Sequence, residues 1–130
     1  MAEHPNLALF RSIYTAFTAG DMDTLATFFA EEVVWHSPGE HPLAGTYEGR
    51  AATFASFAEE FERSSGTYSV EVHEVLANDE HIVAFLHATA DHEGKHLDQS
   101  YAIVFQLRDG KVQAAWEIWK DQPSVDDFWS

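Results

Sequence analysis

The feature that most constrains the fold is a change of hydrophobic period at residues 33–43. Before this stretch, apolar residues recur every three or four positions, as in helices, and after it most segments alternate as strands do. The stretch begins with two valines and Trp35, which suit a half-buried strand. Pro38 and Gly39 cannot continue that strand, because proline lacks an N–H donor and glycine favours a turn. We therefore predict a strand that ends at the mouth of a cavity.

His36 and Ser37 stand at the end of this predicted strand. A rigid strand that stops beside a cavity can supply polar groups to it. Histidine titrates near neutral pH, so His36 is a candidate acid or base, and the alternative is a rim histidine with a structural hydrogen bond. Ser37 forms no catalytic triad with it, because adjacent strand residues point to opposite faces.

Three helices are predicted around this strand. The first runs from Pro5 to about residue 19, and its apolar stripe consists of Leu7, Phe10, Tyr14 and Phe17. Gly20 can end it, and Asp21 can cap a second helix with an apolar face of Met22, Leu25, Phe28 and Phe29. After a loop over residues 38–49, a third helix spans about residues 50–63.

Four later segments have the alternation or composition of strands: residues 67–76, 81–91, 96–108 and 111–121. Turn residues at 78–79, 93–95 and 109–110 separate them, so the strands should be consecutive and antiparallel. The last residues, 123–130, predict one short turn packed against the body. The predicted fold class is α+β, a cone-shaped, strongly curved and largely antiparallel sheet wrapped around the N-terminal helices.

Composition narrows the function. We expect a single domain over residues 1–130, and an aromatic content of 14% with 10 Phe and 4 Trp favours an apolar cavity. A formal charge of −15 repels phosphate and anionic lipid, which argues against nucleic acid and membrane partners. The chain has no cysteine, leader-type segment or membrane-spanning run, so we expect a cytoplasmic protein. The histidines lack a paired-ligand spacing, and no phosphate or dinucleotide motif is present, so neither metal nor cofactor is predicted.

Several motifs together resemble the SnoaL-like branch of the nuclear-transport-factor-two-like superfamily, which also contains the ketosteroid isomerases. They lie at residues 19–21, 28–30, 33–39, 43–50, 108–112 and 116–119. The resemblance covers almost the whole chain. It implies a cone that opens between the helices and the concave face of the sheet, and commonly a homodimer through the convex face. The fold alone does not define a reaction.

The resemblance also tests one mechanism. The base, tyrosine and protonated aspartate of the steroid isomerases would fall on Ser37, Ile13 and Ile103, so all three positions differ. A polyketide cyclase of the SnoaL kind would also need an acid that Ile103 does not supply. The nearest replacements are His36 and Glu117.

Glu117 shares one strand face with Ala115 and Trp119. In the register of the family, this face points into the cone. A carboxylate there would have a raised pKa and act as an acid or base, or form half of an ion pair. A register slip of one residue would instead place it in an interface or in solvent. We predict that His36 and Glu117 meet across the cavity, with Tyr101 as a catalytic partner.

The expected ligand is a small hydrophobic molecule, neutral or cationic rather than anionic. Its predicted contacts are Phe10, Tyr14, Phe17, Trp35, Phe57, Gln99, Ile103 and Trp119. Two functions remain open: a cofactor-free isomerase, cyclase, hydrolase or lyase, and a non-catalytic binding protein. A homodimer is predicted through the convex residues Val83, Phe85, Val104, Trp116 and Ile118.

Overall fold

A computed structural model describes residues 3–130 of the chain. Four helices and six strands follow one another along these residues. The helices are α1 Pro5–Ala19, α2 Met22–Ala26, α3 Arg50–Arg63 and α4 Gln122–Trp129. The strands are β1 Phe29–Ser37, β2 Gly45–Glu48, β3 Ser69–Ala77, β4 His81–His92, β5 Lys95–Arg108 and β6 Lys111–Trp119. The first two residues of the N-terminus lie outside this description.

The sheet has the order β2-β1-β6-β5-β4-β3. Strands β3 to β6 form the predicted antiparallel meander, and β1 pairs in parallel with β6. The register shifts within the β1–β6, β3–β4 and β5–β6 pairs, and bulges, one form of such irregularity, increase the local bend and twist of a sheet. The fold is therefore α+β with an open, curved, largely antiparallel sheet, which confirms the predicted fold class.

Helix α1 begins and ends, and helix α2 begins, at the residues that the sequence indicates. The His4 side chain accepts a hydrogen bond from the Asn6 N–H at the start of α1. Gly20 ends α1 with a φ of 70°, in the left-handed region where glycine costs least. The Asp21 carboxylate accepts from the Thr24 N–H and so caps α2. The buried side chains Phe10 and Ile13 of α1 lie against the concave face of the sheet.

Three predicted boundaries differ from the structure. Helix α2 ends at Ala26, and Phe29 already belongs to β1, because the Phe28 carbonyl accepts a hydrogen bond from Val112 on β6. The predicted loop over residues 38–49 contains β2, a short edge strand paired with β1. The predicted turn near the C-terminus is the full helix α4, whose buried residues are Val125, Phe128 and Trp129.

The core lies between the helices and the concave face, where the largest buried side chains include Phe29, Leu25 and Val33. Alternation along each strand divides the sheet residues between its faces. On β6, Ala115 and Glu117 point to the concave face, and Trp116 and Ile118 point to the convex one. Within residues 3–130, no helix is both long and apolar enough to cross a bilayer.

Candidate functional site

A cavity of about 70 Å³ lies between α1, α3 and the concave face of the sheet. Most of its wall is aromatic or aliphatic. The lining residues are Phe10, Ile13, Tyr14, Phe17, Leu25, Phe29, Trp35, Phe57, Glu60, Tyr68, Val70, Leu86, Tyr101, Ile103, Phe105 and Glu117. Small-molecule sites are typically such concave, mostly apolar spaces with a few polar groups.

Aromatic contacts hold the wall in place. The Trp35 ring packs edge-on against Phe57, with 4.8 Å between ring centroids, and Phe57 packs edge-on against Phe17 at 5.5 Å. Tyr101 stacks on Trp119 with centroids 4.1 Å apart. Edge-to-face and offset-stacked pairs are favourable beyond the area that they bury. The cavity is therefore shaped by packed rings rather than by flexible chains.

Glu117 carries a carboxylate held by two indole groups. Trp35 Nε1 donates to Oε2 at 2.9 Å, and Trp119 Nε1 donates to Oε1 at 3.1 Å. Burial raises the pKa of Glu117, and the two indole donors oppose that rise because they stabilise the ionised form. The net direction is upward, so the site holds an oriented carboxyl group with an elevated pKa.

A second carboxyl group, that of Glu60 on α3, lines the same cavity. Thr53, Ser56 and Phe57 form the buried face of α3, and Glu60 continues that face one turn later. Two causes raise the pKa of Glu60 well above its usual range. Burial is the larger cause, and the negative charge of Glu117 is the second. Glu60 was not among the predicted site residues, although its position three residues after Phe57 in an apolar stripe is a usable signal.

Phenol groups complete the polar part of the wall. Burial, followed by the neighbouring ionisable groups, raises the pKa of Tyr68 and of Tyr101 well above the usual range, so both remain neutral hydroxyls. Tyr14 also lines the cavity, but its hydroxyl donates to the Val70 carbonyl and is thereby occupied. Tyr101 was a predicted site residue, and Tyr68 was not.

His36 lies on the opposite face of the sheet from Glu117. Its ring stacks on Trp116, with centroids 5.1 Å apart and planes 4° from parallel. The register pairs Trp35 with Ala115 and His36 with Trp116, so the indole of Trp35, not the imidazole, points to the Glu117 side. The predicted meeting of His36 and Glu117 across the cavity is therefore wrong, although β1 does lie beside β6 as expected.

The other predicted contacts divide into two groups. Those in the cavity wall are Phe10, Tyr14, Phe17, Trp35, Phe57, Tyr101 and Ile103. Gln99 lies outside the wall, since its side-chain oxygen accepts from the Asp121 N–H at 2.7 Å where α4 begins. Trp119 is also outside the wall and acts on it indirectly, through Tyr101 and Glu117.

The cavity wall offers no Lys, Arg or His side chain among the described residues. Over the same part of the chain, no three His, Asp or Glu side chains gather in a way that could hold a metal ion. Ile103, where the resemblance would place an acid, is the direct cross-strand neighbour of Glu117. The carboxylate thus comes from the adjacent strand.

Comparisons with known proteins agree with this architecture. An uncharacterized protein of Mycobacterium tuberculosis is 31% identical over 131 residues, and the alignment covers both chains completely. Bal32a, from a soil-derived mobile gene cassette, is 36% identical, with a TM-score of 0.92 over 96% of each chain. TerC, co-crystallized with polyporic acid, shares the fold at 19% identity, with a TM-score of 0.83 over 96% of this chain and 98% of its own. The sequence profile of the SnoaL-like domain matches residues 10–115, and the chain therefore belongs to the SnoaL-like domain family.

Proposed function

We propose that the protein binds a small, largely apolar molecule in this cavity and exchanges a proton with it through Glu117. The observation that carries the proposal is one oriented carboxylate, held by two indole N–H groups, inside an otherwise aromatic cavity. A general acid or base is most effective when its pKa lies near the working pH, and a raised carboxyl pKa moves in that direction. Glu117 thus takes the role that the sequence predicted for His36.

The geometry leaves Glu117 able to act on a ligand. An ionised carboxylate can accept about four hydrogen bonds, and the indoles of Trp35 and Trp119 use two of these positions. The indoles also fix the direction of the group, and such pre-orientation is what a catalytic base requires. Tyr101 lines the same cavity, and its neutral hydroxyl can donate a hydrogen bond to the polar end of the ligand.

The charge of the site favours neutral ligands over anions. Its wall carries two carboxyl groups, Glu60 and Glu117, and no basic side chain among the described residues. The whole chain has a formal charge of −15, so the field at the cavity opposes an approaching anion.

A thermal-shift screen tests the proposal. Uncharged aromatic and alicyclic compounds should raise the melting temperature, whereas phosphorylated compounds should not. Glu117→Gln preserves the size of the side chain, so hits should still bind while turnover of any substrate falls by roughly 10²–10⁴. Hits that bind equally well without ever being converted would support the non-catalytic alternative. A set of phosphorylated hits would contradict the proposal.

We also propose that two copies of the chain pair through the convex face. One cross-strand row runs through Leu76, Val83, Val104 and Trp116, and the next contains Phe85, Ala102 and Ile118. Leu76, Phe85, Trp116 and Ile118 are exposed by 54%, 43%, 37% and 58%. Contiguous exposed apolar surface of this kind marks interaction sites. Sedimentation at micromolar concentration should give twice the chain mass, and a clean monomer would contradict this assignment.

A further inference from the structure

Glu60 and Glu117 line one cavity but have different surroundings. Each oxygen of Glu117 accepts an indole N–H. Within residues 3–130, no group hydrogen-bonds to the Glu60 carboxyl, and its oxygens are not fully buried, so they can meet a ligand in the cavity that Glu60 lines. Glu60 is therefore the free carboxyl group of the wall, and Glu117 is the anchored one.

This asymmetry decides which carboxyl group keeps a proton. Two carboxyl groups that share an apolar space do not both ionise readily, because each negative charge opposes the other. An indole N–H can only donate a hydrogen bond. It therefore stabilises an ionised carboxylate oxygen and cannot accept a hydrogen bond from the O–H of a neutral carboxyl group. The negative charge belongs on Glu117, and the proton belongs on Glu60.

Among the residues that the structure describes, no cation in the wall can replace that proton. Arg63 pairs with Glu59 at 2.9 Å, and the guanidinium of Arg50 donates to the carbonyls of Ala26 and Phe29. Neither arginine lines the cavity. The Glu60 and Glu117 side chains therefore offer a ligand one hydrogen-bond donor and one acceptor within the same apolar space.

We propose that Glu60 and Glu117 work as a pair that keeps one proton, and that the site takes a neutral molecule carrying a donor close to an acceptor. A cyclic amide or an enolised 1,3-dicarbonyl has this chemistry. The inference rests on the proposed function and deepens it by adding a second reacting group. Glu117 removes a proton from one ligand atom while Glu60 gives its proton to another, so the ligand is tautomerised without a change of charge. The reverse transfer, from Glu117 to Glu60 directly or through solvent, restores the pair.

The first test needs no ligand. The side-chain carboxyl carbons of Glu60 and Glu117 are followed by NMR across a pH titration, and Glu60→Gln and Glu117→Gln assign the two signals. Glu60 should keep its proton to a higher pH than Glu117. Glu117→Gln should move the Glu60 titration down, because the opposing charge is gone. Two carboxyl groups that titrate independently at ordinary values would overturn the pair.

Other titratable groups near Glu60 could also contribute to the NMR titration. They come from several elements: Tyr14 on α1, Tyr47 on β2, Tyr68 just before β3, Tyr101 on β5 and Glu117 on β6. Burial raises the pKa of Tyr47, Tyr68 and Tyr101, so these phenols do not ionise in the acidic and neutral range. Any charge change that the NMR titration detects in the cavity wall at acidic or neutral pH should come from its two carboxyl groups, Glu60 and Glu117.

The second test uses three probes with the same ring: cyclohexanecarboxamide, methyl cyclohexanecarboxylate and cyclohexylmethylamine. The amide has a donor and an acceptor, the ester has acceptors only, and the amine is a cation. Calorimetry at pH 7 should give an amide affinity about tenfold above that of the ester, the value of roughly one hydrogen bond. Tightest binding by the amine would overturn the pair, because it would mean that two ionised carboxylates hold a cation.

Matched variants separate this inference from the proposed function. Glu60→Gln keeps a donor and should bind the amide within about threefold of the parent, whereas Glu60→Leu should lose about tenfold. Glu59→Gln alters the neighbouring residue that pairs with Arg63 and should change nothing. Equal binding of amide and ester in every variant would remove the pair and leave the cavity as a binding site. Failure of all three probes and of the wider screen would count against the proposed function, and the NMR titration would still decide the pair.

Discussion

Trp35→Phe should raise the pKa of Glu117. Trp35 is only 6% exposed, and its Nε1 donates to the carboxylate at 2.9 Å. Phenylalanine retains a ring that can pack against Phe57 but removes the donor. A hydrogen bond to a charged group contributes about 1.5–3 kcal/mol, and one pKa unit corresponds to about 1.4 kcal/mol. The pKa of Glu117 should therefore rise by about one to two units.

Two measurements check this prediction. The titration of the Glu117 carboxyl carbon by NMR reports the pKa directly. Unfolding by urea reports the linked stability: a raised folded pKa means that the folded chain holds a proton that the unfolded chain has released, so stability falls as the pH rises above the ordinary value of 4.5. The loss in Trp35→Phe should extend to higher pH than in the parent protein.

Controls separate the donor from the loss of ring volume. Trp116→Phe makes the same substitution on the same sheet, but this ring contacts His36 on the convex face, so Glu117 should titrate as in the parent. Trp119→Phe removes the second donor, whose Nε1 lies 3.1 Å from the Glu117 carboxylate. Because the Trp119 ring is only half-buried, this change should raise the pKa of Glu117 less than Trp35→Phe does. A Glu117 pKa that is unchanged or lowered in Trp35→Phe would mean that the Trp35 indole does not stabilise the ionised carboxylate.

Three further predictions follow from the same structure. Glu60→Gln should flatten the decline of stability above pH 4.5 in urea unfolding, because the raised pKa of Glu60 makes the parent lose stability as that group is deprotonated; an unchanged slope would speak against burial as the cause. His36→Ala should leave ligand affinity within about twofold, because the imidazole stacks on Trp116 outside the cavity; a loss of binding in calorimetry would return His36 to the site. Ile118→Glu should give a monomer in sedimentation, because a charge would replace a side chain that is 58% exposed on the apolar convex face; a persistent dimer would place the interface elsewhere.

Long periodic segments could be predicted from the sequence, and short or tertiary-dependent ones could not. The bounds of α1 and α3 and the β4–β6 meander follow from apolar spacing and turn residues. Strand β2 has only four residues, Gly45–Glu48, and exists because β1 offers an edge to pair with. Phe28 and Phe29 fit a helical stripe, yet pairing with β6 places Phe29 in β1, so a tertiary contact overrides the local pattern.

The site was half predictable for a similar reason. The family register oriented Glu117, and the apolar alternation of β5 oriented Tyr101 and Ile103. His36 was misplaced because neighbouring strand residues point to opposite faces, and polarity alone does not say which face holds the cavity. Glu60 was missed because it stands beside Glu59, and only its spacing of three residues from Phe57 distinguishes the glutamate that lines the cavity from the one that pairs with Arg63.

The most direct test of the central claim is a crystal structure with the tightest hit from the screen. We expect a ligand enclosed by Trp35, Phe57 and Tyr101, with a polar atom at about 3 Å from a Glu117 oxygen. The claim would be contradicted by a ligand seated outside the cavity, or by one inside it whose polar group turns away from Glu117.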